Sequence, residues 1–490
     1  MSYGYFKDKK VLVFGLGLLG GGVATANWLI KEGARVTITD LKTRKQLSPS
    51  VRKIKGKATF KLGGHSEVDI KNNDIIVINP DVSIHNKYIQ LARKFGKQVE
   101  NEATIFYKLC PRPIIAVTGT RGKTTVTNWT AHFLRAKHKA IASGNSYVEP
   151  LLKTLDNARK FSFIVNEIPS FHLELFDKTT PSPSVAIITN IFRDHLNRYR
   201  SFQDYVLTKA NIFSGQTPEN TLILNYDNDW TPFLLKQKPA SKVWFFSLSK
   251  LPAKYNGVFY ISDNIYFQNN GKVGKVMNIN GFAGKWGNHN VGNLLASSLA
   301  SHLSGISWVD IGSRLASLPQ IPFRQETIFE NKKLKIINDT CATSPDGGIA
   351  ALERFAGSRS ILITGGTDPA PIFSADRQNG GGIGAGQVGL DYKEWAEVVS
   401  RKIKPENLVM LSGSATIKML SFFHQAYLSK VRIFDSLKEC TKAAFQISKN
   451  YPGAIILFSP ASKSFEKFKN EYDRGNKFNR LIKSFLVGLS

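Results

Sequence analysis

The sequence predicts an α/β fold of three domains. The chain has 490 residues, which is too many for a single core and enough for two to four domains. Short apolar runs alternate with helical patterns along the chain, as in repeated strand-helix units with parallel sheets, and two early strands run into glycine-rich turns. We expect a Rossmann-like domain over residues 1–102, a P-loop-type mononucleotide-binding domain over 103–320 and a second Rossmann-like domain over 321–490.

The first domain begins with a strand, a glycine turn and a helix. Residues 11–14 form the apolar strand, GLGLLG at 15–20 the turn, and residues 23–30 the helix. A second strand ends at Asp40, about twenty residues beyond the turn. This spacing is the dinucleotide-binding fingerprint, so it predicts a nucleotide-type ligand at the strand ends, with NAD as one candidate.

A second glycine loop begins the central domain. Residues 114–117 predict a buried strand, and Val126, Trp129 and Phe133 give the following helix an apolar face. Loop N–H groups and the helix dipole would hold an anion, Lys123 would neutralise it, and the Thr124 hydroxyl could hold Mg²⁺. An ordinary strand-helix turn is the alternative. The predicted cradle comprises Gly119, Thr120, Arg121, Gly122, Lys123, Thr124 and Thr125.

Two further strands lead to polar side chains beside this loop. The strand at 161–165 leads to Glu167, and the strand at 185–189 leads to His195. Ligands of open parallel sheets bind at the carboxyl ends of strands, so both side chains are predicted to face the crevice above Lys123. The alternatives are a solvated strand end for Glu167 and a structural role for His195.

Lys209 lies on the apolar stripe of a helix predicted over 201–213. Burial of an amine lowers its pKa and makes it reactive, and carbamylation by CO₂ would convert Lys209 into an anion that helps to bind a metal. The alternative is a lysine whose ammonium reaches solvent. Farther on, Asn290 and Asn293 lie one helical turn apart and could hold an adenine or ribose edge, or could cap the helix.

Composition and charge narrow the functional classes. The net charge of +29 favours anionic partners, but the lysines and arginines are scattered, so we expect no nucleic-acid binding. Three distant cysteines show neither metal-ligand nor disulfide spacing, as expected for a reducing cytoplasm. Residues 11–26 faintly resemble a signal peptide, but five glycines interrupt them. We expect a cytoplasmic monomer that does not enter membranes and acts on small molecules.

The ordered motifs resemble the Mur ligases of peptidoglycan synthesis over nearly the whole chain. The last motif looks particularly like the family member that adds D-glutamate. The motifs are GLGLLG, VTGTRGKTT, NEIPSFHLEL, NIFRDHLNRY with the following Lys209, GNHNVGN, INDTCAT and SPASKSFEKFKNEYDRGNKF.

The resemblance implies an ATP-dependent amide-bond ligase that adds D-glutamate to UDP-N-acetylmuramoyl-L-alanine through an acyl phosphate. It implies two Mg²⁺ sites, the first held by Thr124 and Glu167 and the second by His195 and carbamylated Lys209. Lys123 would stabilise the transferred phosphoryl group. The implied ATP contacts are Asn293, Arg324 and Asp339. The implied substrate contacts are Leu18, Asp40, Asn145, Thr343 and Ser464, of which Asn145 is expected near the UDP-sugar and Ser464 near D-glutamate.

The chain departs from the family pattern in the third domain. Cys341 and Pro369 stand where lysines are expected, and Glu471 stands where an aromatic residue is expected. These departures leave open a ligase for a different amino acid and a nucleotide-binding protein that no longer ligates. The glycine turn and Asp40 leave a dinucleotide-dependent oxidoreductase as a further alternative.

Overall fold

The computed structural model describes residues 4–18, 20–144, 151–192, 198–368 and 390–487. It contains three sheets of mainly parallel strands with helices between them, which confirms the predicted α/β class. The described residues form two compact units: the first runs to Pro319 and the second begins at Gln320. The domain boundary proposed at residue 102 lies inside the first unit and stays a prediction.

The first sheet has five parallel strands in the order β3-β2-β1-β4-β5. The central strand β1 and its neighbour β4 are almost wholly buried, because helices cover both faces of a parallel sheet. Its strands are β1 Lys10–Phe14, β2 Arg35–Asp40, β3 Ala58–Leu62, β4 Ile75–Ile78 and β5 Gln98–Glu100. The helices are α1 Gly21–Lys31, α2 Ser48–Val51, α3 Glu67–Lys71, α4 Lys87–Lys94 and α5 Glu102–Leu109.

The second sheet has nine strands in the order β14-β13-β12-β11-β10-β9-β6-β8-β7, with β13 and β14 antiparallel additions at one edge. Its strands are β6 Ile114–Thr118, β7 Ala140–Gly144, β8 Phe163–Glu167, β9 Val185–Ile188, β10 Thr221–Asn225, β11 Lys242–Ser247, β12 Gly257–Ile261, β13 Asn264–Asn269 and β14 Lys272–Asn278. Its helices are α6 Lys123–Leu134, α7 Leu151–Leu155, α8 Ser170–Leu173, α9 Phe202–Ala210, α10 Thr231–Lys236, α11 Phe282–Trp286, α12 His289–Leu303 and α13 Trp308–Ser313.

The second unit contains a six-stranded sheet in the order β15-β16-β20-β17-β18-β19, in which only β15 is antiparallel to its neighbour. Its strands are β15 Glu326–Glu330, β16 Leu334–Asn338, β17 Ser360–Gly365, β18 Leu408–Leu411, β19 Arg432–Phe434 and β20 Ala454–Phe458. Its helices are α14 Pro345–Phe355, α15 Lys393–Lys402, α16 Ser414–Leu420, α17 Gln425–Leu428, α18 Leu437–Ser448 and α19 Glu471–Val487.

Two predicted elements differ from the structure near the candidate site. The strand expected at 161–165 is β8, Phe163–Glu167, so Glu167 is the last residue of the strand rather than part of the following turn. The helix expected over 201–213 ends at Ala210 and continues as a short 3₁₀ turn. Across the described part of the chain, no helix combines the length and apolarity needed to cross a membrane.

Candidate active site

The phosphate loop joins the carboxyl end of β6 to the N-terminus of α6. Gly119 and Gly122 have φ angles of 144° and 82°, which an L side chain rarely adopts. Gly122 is the residue that precedes α6, and Lys123 begins the helix. The Lys123 ammonium folds back and donates to the carbonyl oxygens of Gly119 and Thr120, each at 3.1 Å. The loop therefore carries a cation directly over a helix N-terminus, an arrangement that favours anion binding.

The turn after β9 fixes this loop. The backbone N–H groups of Thr120 and Arg121 donate to the carbonyl and side-chain oxygens of Asn190, both at 2.8 Å. Thr189 Oγ1 donates to the Arg121 carbonyl at 2.6 Å. Two of the loop N–H groups predicted to hold an anion are thus bonded inside the protein. An anion would meet mainly the N–H groups at the start of α6, which have no partner within the helix.

Gly119→Ala is expected to disrupt the loop. A Cβ atom at this position would overlap Thr189 Oγ1 and come within 3.1 Å of the Asn190 carbonyl. Because these groups hold the loop, we expect the KM for ATP to rise and kcat to fall, with kcat/KM lower by about 100-fold. Gly284→Ala in α11 is the control, because its Cβ would enter open space. Equal kcat/KM values for the two variants would contradict this role of Gly119.

Glu167 is a buried carboxylate beside the loop. Its side chain is 4% exposed, and Oε2 has no hydrogen-bond partner among the described residues. An unpartnered buried oxygen is costly. Carboxylate oxygens are preferred ligands of Mg²⁺. Glu167 therefore fits a divalent cation held beside the phosphate loop.

Lys209 is buried against the same loop. It is 1% exposed, so the alternative of an ammonium that reaches solvent is wrong. Its Nζ donates to the Gly119 carbonyl at 2.9 Å and lies 4.6 Å from the centroid of the Tyr205 ring. The Tyr205 hydroxyl in turn lies 3.1 Å from Thr120 Oγ1. Helix α9 therefore delivers an amine and a phenol to the loop.

Asn293 lies over the loop from α12. A Cβ atom on Gly122 would overlap Asn293 Oδ1, so only glycine permits this approach. Asn293 Nδ2 donates to Asn290 Oδ1 at 2.8 Å, and Asn290 Nδ2 donates to the Trp286 carbonyl at 2.7 Å. The side chain of Asn290 thus bonds to a residue that precedes α12 and does not cap this helix. The pair places a polar edge beside the phosphate loop.

Asp40 supports the glycine turn of the first sheet. Its Oδ2 accepts the N–H groups of Leu16 and Gly17 at 2.9 and 3.0 Å, and Oδ1 accepts that of Lys42 at 2.9 Å. A buried carboxylate with these three bonds shapes the turn, which the fingerprint alone did not indicate. Leu18, at the tip of the turn, is 51% exposed and open to a ligand.

The second unit contains the remaining described candidates. Asp339 is buried after β16 and accepts hydrogen bonds from Gln325 N at 3.0 Å and Ser459 Oγ at 2.8 Å. Burial raises the pKa of its carboxyl to about 7. Arg324 is exposed, Thr343 is half-buried, and Ser464 is buried with no partner for Oγ among the described residues. His195, Asn145 and Pro369 lie outside the described residues.

Cys341 does not replace the positive charge of a lysine. Burial raises the pKa of its thiol to about 12, so the group is neutral at physiological pH. Its backbone N–H donates to the Phe323 carbonyl at 3.0 Å, within a turn where Phe323 and Gln325 both have positive φ angles.

The stability of the second unit is expected to fall as the pH rises from about 4 to about 7. Asp339 has a pKa of about 7 when folded against 3.8 as an ordinary carboxyl, so the folded state binds more protons in this window. Stability therefore decreases with pH, by up to about 4 kcal/mol, and then levels off. Hydrogen exchange of second-unit amides at several pH values measures this. Asp339→Asn should flatten the slope, and a wild-type slope in the variant would contradict the assignment.

Three residues that position the site were not predicted from the sequence. Asn190 and Thr189 hold the loop, and the Tyr205 hydroxyl contacts Thr120. Asn190 directly follows the predicted strand 185–189, so its place at a strand end was the available signal. Its partners are about seventy residues away in the chain, and spacing alone does not reveal them.

A strand-loop-helix turn with a cation at the helix N-terminus and a buried carboxylate beside it is typical of nucleotide-dependent phosphoryl-transfer proteins. A Mur ligase middle-domain family model matches residues 117–301, and a MurD-like N-terminal domain model of the same family matches residues 9–101. The chain belongs to the Mur ligase family.

Relatives and solved structures agree with this assignment. A UDP-N-acetylmuramoylalanine–D-glutamate ligase of Roseiflexus sp. is 32% identical, over 97% of this chain and 99% of its own. The enzyme with the same name from Borreliella burgdorferi is 31% identical, over 97% and 98%. The crystal structure of MurC, a UDP-N-acetylmuramate-alanine ligase from Thermotoga maritima, shares the fold with a TM-score of 0.56 and 18% identity, over 97% of this chain and 99% of its own.

Proposed function

We propose that this protein is an ATP-dependent ligase that joins D-glutamate to UDP-N-acetylmuramoyl-L-alanine in peptidoglycan precursor synthesis. The observation that carries the proposal is the buried, unpartnered Glu167 carboxylate beside the Lys123 phosphate loop. The full-length similarity to ligases with this name supports the choice of substrates.

The proposed reaction has two steps, and the chain supplies positioning and positive charge for both. A carboxylate oxygen of the UDP-sugar substrate attacks the γ-phosphorus of ATP, and ADP leaves. Lys123 and the N-terminus of α6 stabilise the negative charge on the transferred phosphoryl group. The amine of D-glutamate then attacks the carbonyl carbon of the acyl phosphate. Phosphate departs with the former carboxylate oxygen, and the amine loses a proton.

The residues fit the binding of Mg²⁺. We assign Thr124 and Glu167 to one ion, and His195 with carbamylated Lys209 to a second. Bound Mg²⁺ supplies charge neutralisation on phosphate oxygens. Formation of the carbamate from the Lys209 ammonium would release two protons to water. The first frees the amine, whose nitrogen bonds to the carbon of CO₂, and the second leaves that nitrogen to give the carbamate anion.

The remaining contacts are assigned by ligand. Leu18, Asp40 and Asn145 are proposed to serve the UDP-sugar, Asp40 by shaping the turn that carries Leu18. We assign Asn293, Arg324 and Asp339 to ATP, and Thr343 and Ser464 to D-glutamate. We expect a monomer.

Phosphate release by purified protein tests the function. The assay contains Mg-ATP and UDP-N-acetylmuramoyl-L-alanine, with and without each of a panel of amino acids. We expect release to require D-glutamate. The neutral thiol of Cys341, where a lysine is expected, favours a different amino acid as the second candidate. Release that needs another amino acid would support that candidate, and release that needs none would contradict ligation.

A further inference from the structure

Arg474 is a fully buried cation near the start of α19. Its exposed fraction is 0%, and its guanidinium forms four hydrogen bonds to uncharged acceptors. Nε donates to Thr340 Oγ1 at 3.0 Å, and Nη2 donates to the Thr340 carbonyl at 2.8 Å and the Ser462 carbonyl at 3.1 Å. Nη1 donates to the Lys463 carbonyl at 3.0 Å. At least four of the five N–H donors of Arg474 are therefore used: three donate to loop carbonyl oxygens and one donates to a hydroxyl.

These bonds join the loops after two neighbouring strands, and the loop after a third strand pairs with one of them. Thr340 follows β16, and Ser462 and Lys463 follow β20. The loop after β17 joins them, because Thr367 and Lys463 exchange two backbone hydrogen bonds of 3.0 Å. Gly366 approaches so closely that a Cβ atom there would lie 2.9 Å from the Lys463 carbonyl and 3.4 Å from Arg474 Nη1. Since β16, β20 and β17 are neighbours, Arg474 organises the sheet edge at which ligands of such folds bind.

The charge of Arg474 has no carboxylate in direct contact among the described residues, although Glu471 and Asp339 lie near enough to raise its pKa. Within the described ranges, no carboxylate forms an ion pair with the guanidinium within 4.0 Å. Burial lowers the pKa of Arg474 to about 10, so it remains a cation at neutral pH. The next residue after its acceptor Lys463 is Ser464, whose buried Oγ has no partner among the same residues. A buried cation beside an unsatisfied hydroxyl is an arrangement that an anionic ligand would complete.

We propose that Arg474 is the positioning residue of the amino-acid pocket and supplies the buried positive charge that selects an amino acid with an acidic side chain. The side-chain carboxylate of the amino acid accepts a hydrogen bond from Ser464 Oγ and lies in the field of the guanidinium. The charge of Arg474 thereby supplies part of the positive charge that is missing at Cys341, where a lysine is expected. This inference rests on the proposed function and deepens it.

The test compares D-glutamate with D-glutamine, which has the same shape and an uncharged side chain. We expect Arg474→Met to lower the ratio of kcat/KM for D-glutamate over D-glutamine by about 10-fold or more. Arg474→Lys keeps the charge but loses the fork of donors, so it should raise the KM for D-glutamate and retain most of the ratio. The KM for ATP should stay within about twofold in both variants. Arg480→Met, an exposed arginine on the same helix, is the matched control.

The outcomes separate this inference from the proposed function. Wild-type activity without a need for D-glutamate would contradict the proposed function before any variant is made. A D-glutamate-dependent wild type whose ratio is unchanged in folded Arg474→Met would overturn the role of Arg474. If that variant does not fold, Ser464→Ala tests the pocket instead. It should raise the KM for D-glutamate about 10-fold with no loss of thermal stability, and an unchanged KM would overturn the pocket assignment.

Discussion

Lys123→Met is expected to lower kcat by about 10³-fold while the protein stays folded. The ammonium lies over the phosphate loop and donates to the Gly119 and Thr120 carbonyls. Methionine fills similar space without the charge, so the variant loses the stabilisation of the negative charge on the transferred phosphoryl group in the transition state. Steady-state phosphate release with saturating substrates measures kcat, and thermal unfolding checks the fold.

Lys137→Met is the matched control for Lys123. Lys137 lies just beyond the C-terminal end of α6, and its half-exposed ammonium pairs with Asp310 at 2.7 Å. An exposed pair of this kind adds little to stability, and kcat should be unchanged. Comparable kcat values for the two variants would show that the charge of Lys123 does not act on the reaction.

Glu167→Gln is expected to reduce activity by about 10²- to 10³-fold without destabilising the ligand-free protein. The unpartnered Oε2 is costly when ionised, so an amide of the same shape should leave the free energy of unfolding unchanged or raise it. The variant should lose most of the thermal stabilisation that Mg-ATP gives to the wild type. Unfolding scans with and without Mg-ATP measure both effects.

Glu174→Gln distinguishes a ligand-binding carboxylate from a structural one. Glu174 is also buried, but it pairs with Arg198, with a distance of 2.7 Å from Oε2 to Nη2. Removal of one charge from this buried pair should lower the free energy of unfolding by about 3 kcal/mol. Stabilisation by Mg-ATP should persist. A loss of stability in Glu167→Gln similar to that in Glu174→Gln would contradict the metal-ligand role of Glu167.

The sequence predicted elements with a strong local signal. Strands at 75–78 and 408–411 and the helix at 437–448 have the predicted bounds, because apolar runs and helical stripes reflect local burial. The five strands of residues 221–278 were not predicted. Several of them alternate apolar with polar residues only weakly: β14, KVGKVMN, is exposed along most of its length and pairs at the edge of the sheet.

Side-chain roles were harder to predict than the fold. The fingerprint suggested that Asp40 binds a ligand, whereas its oxygens accept N–H groups from the turn itself. Arg474 belonged to a recognised motif, but its four acceptors lie on loops that meet only after folding. Long-range hydrogen bonds of this kind leave no periodic pattern in the sequence. The buried position of Lys209 was predictable because helical spacing places it on an apolar stripe.

An isotope-transfer experiment tests the central claim most directly. UDP-N-acetylmuramoyl-L-alanine labelled with ¹⁸O in its free carboxylate is incubated with the enzyme, Mg-ATP and D-glutamate, and the released phosphate is analysed by mass spectrometry. If the carboxylate attacks the γ-phosphorus and phosphate later leaves the acyl carbon, each phosphate carries one oxygen from the carboxylate. Unlabelled phosphate would mean that water attacks ATP, and it would contradict ligation through an acyl phosphate.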